Sequence, residues 1–342
     1  MSATTRTEHD LLGDKEIPSD AYYGVQTARA LENFHISGVQ LRLYPNVIKA
    51  FAMVKMAAAR ANFDCGQFSR EILTGIEGAC QEVIDGKLHD QFRLDVFQGG
   101  AGTSTNMNAN EVIANRALEL MGHKKGEYKY CDPHDHVNGS QSTNDAYPSS
   151  LHVGMALGNA QLVGAMNELI GAFRKKGAEF SSILKMGRTQ LQDAVPMTLG
   201  QEFEAFAATL GGEVQALQAI QRVLCEVNMG ATAIGTGLNA PAGYAGICTK
   251  HLATITGSKT FNCSWPPSAA IVTVRSLPMT RKQTMLTTSG MTGLTLPGMI
   301  DEPGCFGGRL ISRSPQRGPD DSRRRSLQTF DSLIARLFMQ DE

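Results

Sequence analysis

The sequence predicts a mainly α protein built around a bundle of very long helices, on three observations. First, apolar residues recur at steps of three and four along two successive stretches. From Ser149 to about residue 180 these are Met155, Leu162, Met166, Leu169 and Phe173. From about 197 to 227 they are Leu199, Phe203, Phe206, Leu210, Val214, Leu217, Leu224 and Val227. That period marks one face of an α-helix, and about 30 residues make on the order of 45 Å of it. Second, aromatics are scarce at 6% while Ala, Leu, Met and Gly are plentiful, which also favours helices. Third, clusters of small polar residues stand just ahead of helical stretches, where cap residues belong. Two helices this long cannot bury their stripes alone, so they call for a bundle and for partner subunits.

Composition narrows the function. The chain has 342 residues, 42% hydrophobic and 19% charged, which fits a soluble globular protein with a real core. Its net charge of −1 gives no reason to expect nucleic acid or an anionic membrane as partner. No apolar run reaches the roughly 18 residues of a spanning helix. Residues 1–20 are polar and lack the apolar core of a signal peptide. The seven cysteines are scattered and form no Cys-x-x-Cys pair. They read as thiols in a reducing cytoplasm rather than as bridges or zinc ligands.

In chain order, residues 1–45 mix turn signals with short apolar pieces. Ile17-Pro18-Ser19-Asp20 reads as a turn, and Gly24 to Phe34 holds a short helix. Asn46 reads as the cap of a helix over about 47–62, with Val47, Phe51, Val54 and Ala58 on one side. Ser69 opens another, with Ile72, Leu73, Ile76, Ala79, Cys80, Val83 and Ile84 on its apolar face and Gly86 as its stop. Helical sequence returns at about 106–121. Residues 122–139 are a loop, in which His134-Asp135-His136 lacks a third ligand at metal-site spacing, so no metal is assigned. A small-residue loop covers 228–243 and a short helix about 244–256. From about 262 the character changes: seven of the 13 prolines, the only tryptophan and Arg323-Arg324-Arg325 fall there, and helical spacing returns only at Leu327 to Phe338. The expected organisation is 1–139, 140–261 and an aberrant or disordered tail at 262–342.

Three polar boxes carry the chemistry. Gln98-Gly99-Gly100-Ala101-Gly102-Thr103-Ser104-Thr105-Asn106 places three glycines, which let backbone approach a ligand, ahead of hydroxyls and an amide. No Gly-Lys-Ser/Thr comes after them, so it is not a phosphate-binding P-loop, nor does it fit the dinucleotide fingerprint. Ser140-Gln141-Ser142-Thr143-Asn144-Asp145-Ala146-Tyr147-Pro148 gathers hydrogen-bonding side chains before the first long helix, and Pro148 suits a first helical position. Gly187-Arg188-Thr189-Gln190-Leu191-Gln192-Asp193-Ala194 precedes the second. Donors beside a helix N-terminus make a site for a carboxylate or phosphate. Taken singly, each box also reads as an ordinary capped polar loop.

Together with Gly230-Ala231-Thr232-Ala233-Ile234-Gly235-Thr236-Gly237 and Asp20-Ala21-Tyr22-Tyr23-Gly24-Val25-Gln26-Thr27, these boxes resemble the aspartase/fumarase superfamily over about residues 10–257. Within it, Gly-Ala-Gly-Thr-Ser and Gln190 are similar to the ammonia-lyase branch; fumarases carry a Ser-Gly-Thr box and a His at the Gln190 position. The resemblance implies an aspartase/fumarase-type fold with a central bundle of five long helices, and four subunits that pool them. Each active site would then take its boxes from three chains. It implies reversible loss of ammonia from L-aspartate to give fumarate, without an organic cofactor. Thr103, Ser142, Thr143, Asn144 and Thr189 would bind the substrate's carboxylates and amine, with Gln190 beside them. Arg29 and Arg188 match family positions and fit either substrate contact or a structural ion pair.

The family's catalytic base is a serine in a loop reading Gly-Ser-Ser-Ile-Met-Pro-x-Lys-Val-Asn-Pro. That string does not occur at 258–342, and Thr287-Thr288-Ser289-Gly290-Met291 lacks its proline, lysine and asparagine. No base is therefore assigned, and the fold is expected to be C-terminally incomplete. The change near Asn262 reads as a frameshifted or misassembled coding end, or else as a divergent tail. The ammonia-lyase reading has two alternatives: a fumarase-like hydratase, and a truncated, catalytically dead remnant.

Overall fold

A two-stranded ribbon opens the chain, and helices make up most of the remainder. In the computed structural model, which describes residues 4–258 and 261–263, β1 (Thr5–Asp10) pairs antiparallel with β2 (Gly13–Pro18). Then come α1 (Val25–Asn33), α2 (Pro45–Asp64), α3 (Arg70–Ile84), α4 (Thr103–Leu120) and the long α5 (Thr143–Glu179). A second antiparallel hairpin, β3 (Leu184–Thr189) and β4 (Gln192–Thr198), turns the chain back into α6 (Leu199–Leu224). Strand β5 (Glu226–Val227), helix α7 (Tyr244–Thr256) and strand β6 (Asn262–Cys263) complete it, with β5 and β6 parallel. The described residues fall in one compact unit. The sequence's reading of the tail, Thr287 to Met291 included, lies outside the described residues.

Two cores share helix α2. On one side Ile48 and Phe51 meet Leu73, Ile76 and Val83 of α3 and Val112, Ile113 and Leu118 of α4. On the other, Ala50, Val54, Ala57 and Ala61 meet Val153 of α5, Leu224 of α6 and Tyr244 and Leu252 of α7. Alanines let the neighbouring helices come close, while each large apolar side chain fully buried in either core contributes roughly 1.5–3 kcal/mol. Beyond these cores α5 and α6 run on as a helical hairpin. Its seam is Val163, Met166, Ile170 and Phe173 on α5 against Ala207, Leu210 and Val214 on α6. Phe173, Phe180, Phe203 and Phe206 lock its far end, with ring centroids 5.4–6.0 Å apart.

The seam corrects the stripe read from sequence. Met155, Leu162 and Leu169 step by seven along another side of α5, and Met155 and Leu169 are 49% and 46% exposed. The single stripe is in fact two apolar faces. Among the described residues nothing covers the second, and Leu184 and Val195 of the hairpin are exposed as well.

Two helix starts are corrected as well. Helix α2 begins at Pro45 after the cap residue Tyr44, because proline suits the first turn. Asn46 does not cap it; its Nδ2 donates to Gln161 Oε1 at 3.0 Å. Helix α5 begins at Thr143, so Pro148 lies inside it rather than opening it. A capping box fixes the earlier start: Ser142 Oγ accepts from the Asn144 N–H at 3.2 Å, and Asp145 Oδ1 accepts from the Ser142 N–H at 2.8 Å. Ser69 does cap α3, accepting from the Ile72 N–H, and Gly86 lies just past its end at φ +94°.

Neither hairpin is visible in the sequence. In the first, Glu8 and Ile17 are the buried positions among polar, exposed neighbours, so no apolar alternation marks it. In the second, Gln190 and Leu191 occupy the two-residue turn at φ +48° and +65°. That geometry ordinarily announces itself with Asn or Gly.

Candidate active site

Helix α4 is buried on nearly every side yet rich in polar residues, because its side chains bind the loops around it. Glu111 accepts N–H groups from Gly24, Gln26 and Thr27, tying down the start of α1. Asn115 Nδ2 donates to the Tyr22 carbonyl at 2.9 Å. At its N-terminus α4 meets α5. Asn106 Nδ2 donates to Thr143 Oγ1 at 3.2 Å and to Asn138 Oδ1 at 3.0 Å. Gly102, at φ +92°, packs directly against the Tyr147 ring. Two helix N-termini, each with free N–H groups and a positive dipole end, therefore open side by side. Thr103, Ser142, Thr143 and Asn144 all stand at this junction. Thr103 and Asn144 are exposed, Ser142 and Thr143 half-buried. Asn106 Oδ1 is buried and has no hydrogen-bond partner, which costs about 1–3 kcal/mol unless a ligand or water meets it.

Beneath the junction lies a buried charge. Lys55 of α2 is fully buried, with Nζ 2.9 Å from Asn138 Oδ1 and 3.0 Å from Gln141 Oε1. Burial pushes its ammonium down to about 7, against the attraction of Asp145. Burial also raises the Asp145 carboxyl, opposed by N–H groups of Ser142, Thr232 and Gly230 and by Lys55. The small-residue loop before α7 closes the far side. Asp145 Oδ2 accepts from the Thr232 and Gly230 N–H groups at 2.9 and 3.2 Å. Asn144 Nδ2 donates to the Ala233 carbonyl at 2.7 Å.

Thr189 and Gln190 are elsewhere. They sit at the exposed tip of the β3–β4 hairpin, beyond the C-terminal end of α5. A helix of 37 residues is on the order of 55 Å long. The chain's own fold therefore holds the third box far from the other two. Arg29 and Arg188 resolve as ion pairs: Arg29 to Asp10 at 2.9 Å from both Nε and Nη2, and Arg188 Nε to Asp193 Oδ1 at 2.9 Å. His134-Asp135-His136 forms a single wide helical turn, Pro133–Val137, in which His136 Nδ1 accepts the Asp132 N–H at 2.8 Å. Among the described residues no three His, Cys, Asp or Glu side chains gather to hold a metal ion. Among them, too, no helix is long and apolar enough to cross a membrane.

Residues 13–269 match the Lyase_1 family, described as lyases. The chain belongs to this lyase family. It is 57% identical over 256 residues to the aspartate ammonia-lyase of Pseudomonas aeruginosa, covering 75% of this chain and 54% of that one. With the aspartate ammonia-lyase of Escherichia coli it shares 55% identity over 258 residues, again 75% of this chain and 54% of the relative. The chain thus spans about half the length of these curated relatives. Its fold resembles that of a fumarate lyase from Brucella melitensis, with a TM-score of 0.75 at 51% identity, covering 77% of this chain and 57% of the other. The family and the mainly α fold expected from the boxes both stand.

Reading boxes alone misses several residues of this junction. Lys55, Asn138 and Asn228 all contact it, yet each looks like an ordinary polar residue in sequence. For Lys55 a signal exists: it is the one polar residue in the stretch 50–59, among Val54, Met56 and several alanines.

Proposed function

We propose that this lyase acts on a small dicarboxylate or its amino acid, eliminating ammonia from L-aspartate to give fumarate. The observation that carries the reading is the junction itself, where Thr103, Ser142, Thr143 and Asn144 meet at two helix N-termini. Removing the C3 proton of aspartate piles negative charge onto the neighbouring carboxylate. Aimed neutral donors suit that task, because they stabilise charge as it develops without binding the ground state equally well. Hydroxyls of Thr103, Ser142 and Thr143 and the Asn144 amide would hold the carboxylates. Thr189 and Gln190 would complete the site from a second copy of the chain, since their own hairpin is remote. The bare apolar face of α5 and α6 supports such packing in a homo-oligomer, four chains by the family pattern. Cys65, Cys80 and Cys131 form no disulfide, in keeping with a cytoplasmic setting. The division at residues 139 and 140, between an N-terminal domain and a helical-bundle domain, belongs to this reading. No organic cofactor or metal enters it.

The base is unassigned, and the lack of the serine-loop string in the sequence favours a second reading: a chain that binds the dicarboxylate without turning it over. One experiment separates the two. L-Aspartate added to the purified chain should give fumarate, read by its ultraviolet absorbance, while fumarate binding is measured by calorimetry. Turnover supports the enzyme. Binding without turnover supports the inert form. Turnover of L-malate alone would assign a hydratase. Absence of both binding and turnover would overturn the dicarboxylate reading.

A further inference from the structure

We infer that Asn228 is a positioning residue that stands in for the backbone N–H missing at Pro148. Inside α5, the N–H of residue 148 would bond to the carbonyl of Asn144, four residues back. Proline has no N–H to give, so the helix has a gap in its first turns. Asn228, on the loop after β5, fills it. Its Nδ2 donates to the Asn144 carbonyl at 3.1 Å. Its Oδ1 accepts from Ser149 Oγ at 3.1 Å, one residue beyond the proline. One amide thus spans the break from both sides, and it does so beside the proposed donors Thr143 and Asn144.

The consequence concerns where the Asn144 side chain is held. Its carbonyl is tied to Asn228 and its amide to the Ala233 carbonyl, both on the same loop. Asp145 binds that loop through Gly230 and Thr232. The loop at 228–233 and the α5 N-terminus therefore move as a unit, with Asn228 as the link at the one place the helix cannot satisfy itself. A regular helix start would need no such link. The proline frees a carbonyl, and the freed carbonyl gives the loop a fixed point to grip. This rests on the junction being the dicarboxylate site, and the test keeps the two claims apart.

Asn228→Ala should raise the dissociation constant for fumarate about tenfold, the size expected for losing two ordinary hydrogen bonds together, the exposed one to the Asn144 carbonyl and the part-buried one from Ser149 Oγ. It should also speed amide exchange at Ala146, Tyr147, Ser149 and Ser150. The deciding chain is Asn228→Ala combined with Pro148→Ala, in which residue 148 regains its N–H and can bond to Asn144. In that background the loss on removing Asn228 should shrink to about twofold, with amide protection restored. Asn228→Ala with unchanged exchange and affinity would overturn the inference. So would an equal loss with and without Pro148, since a merely structural role for Asn228 is not rescued by an N–H at 148. If the unsubstituted chain binds no fumarate, the dicarboxylate reading falls. The exchange rescue then decides the role of Asn228 by itself.

Discussion

Gly102→Ala tests how the two helix N-termini are held together. Gly102 caps α4 at φ +92° and ψ +8°, a conformation that costs an L-residue roughly 1–2 kcal/mol. A Cβ there would also overlap the Tyr147 ring. The ring cannot swing away freely, because it is half-buried and its centroid lies 6.0 Å from that of Phe51. Overpacking of this kind adds about 1–3 kcal/mol. The total loss should therefore be about 2–5 kcal/mol, read from equilibrium urea denaturation. Tyr147→Ala removes the ring, so in that background Gly102→Ala should cost only the backbone part, about 1–2 kcal/mol. Because Thr103 comes directly after Gly102, fumarate affinity should fall along with stability. The reasoning fails if Gly102→Ala costs under about 0.5 kcal/mol, or if its cost is the same with and without the Tyr147 ring.

Lys55 sets a pH dependence. Its ammonium falls to about 7 in the folded chain from 10.5 when unfolded, so between those values the unfolded chain holds more protons and stability rises with pH. The stability advantage of the natural chain over Lys55→Met should grow by roughly 2 kcal/mol from pH 7 to 9; a flat difference would refute the burial argument. The comparison stops near pH 9 because the buried Cys80 thiol beside Lys55 is pushed up, and its suppressed ionisation works the other way at higher pH. Leu191→Gly should stabilise the β3–β4 hairpin by about 0.5–1 kcal/mol, since Leu191 is 98% exposed at φ +65° and loses strain without losing burial. A lower urea midpoint would contradict that. Phe203→Ala removes a half-buried member of the aromatic cluster and should speed amide exchange across the far half of the α5–α6 hairpin. Exchange in α2 and α4 should stay unchanged; a uniform rise across the chain would show that the hairpin is not a separate opening unit.

How much can be read from the sequence depends on how local each signal is. Helix α3 lies where its periodicity and its Ser69 cap put it, and α1 and α7 lie in the stretches read as short helices, because one run of residues carries each signal. The start of α5 is misread because two local signals compete. Pro148 looks like a first helical residue, but the capping box at Ser142 and Asp145 satisfies N–H groups at the true end, and Pro148 is tolerated once Asn228 supplies the missing donor. That compensation comes from a residue 80 positions later, which no window contains. The buried pairing of Lys55 with Asn138 and Gln141 is hidden in the same way.

The candidate site divides along this line too. Thr103 and Ser142 to Asn144 are legible as boxes, and the fold brings them together through Asn106, Gly102 and the ring of Tyr147. Thr189 and Gln190 are equally legible, yet one chain cannot deliver them. The obstacle is the length of α5, on the order of 55 Å, and no side-chain rearrangement shortens a helix. Either the third box serves only its own hairpin turn, or another chain brings it. The first option explains Arg188, which pairs with Asp193 across the ribbon. It does not explain why Gln190 and Leu191 are both held at positive φ, where glycine would sit without strain. Nor does it explain an α5 side bearing Met155 and Leu169 uncovered. In the homo-oligomer proposed above, a second copy packed along that side would account for both: it would cover the apolar face, and it would put a side chain at position 190 to a use that glycine could not serve.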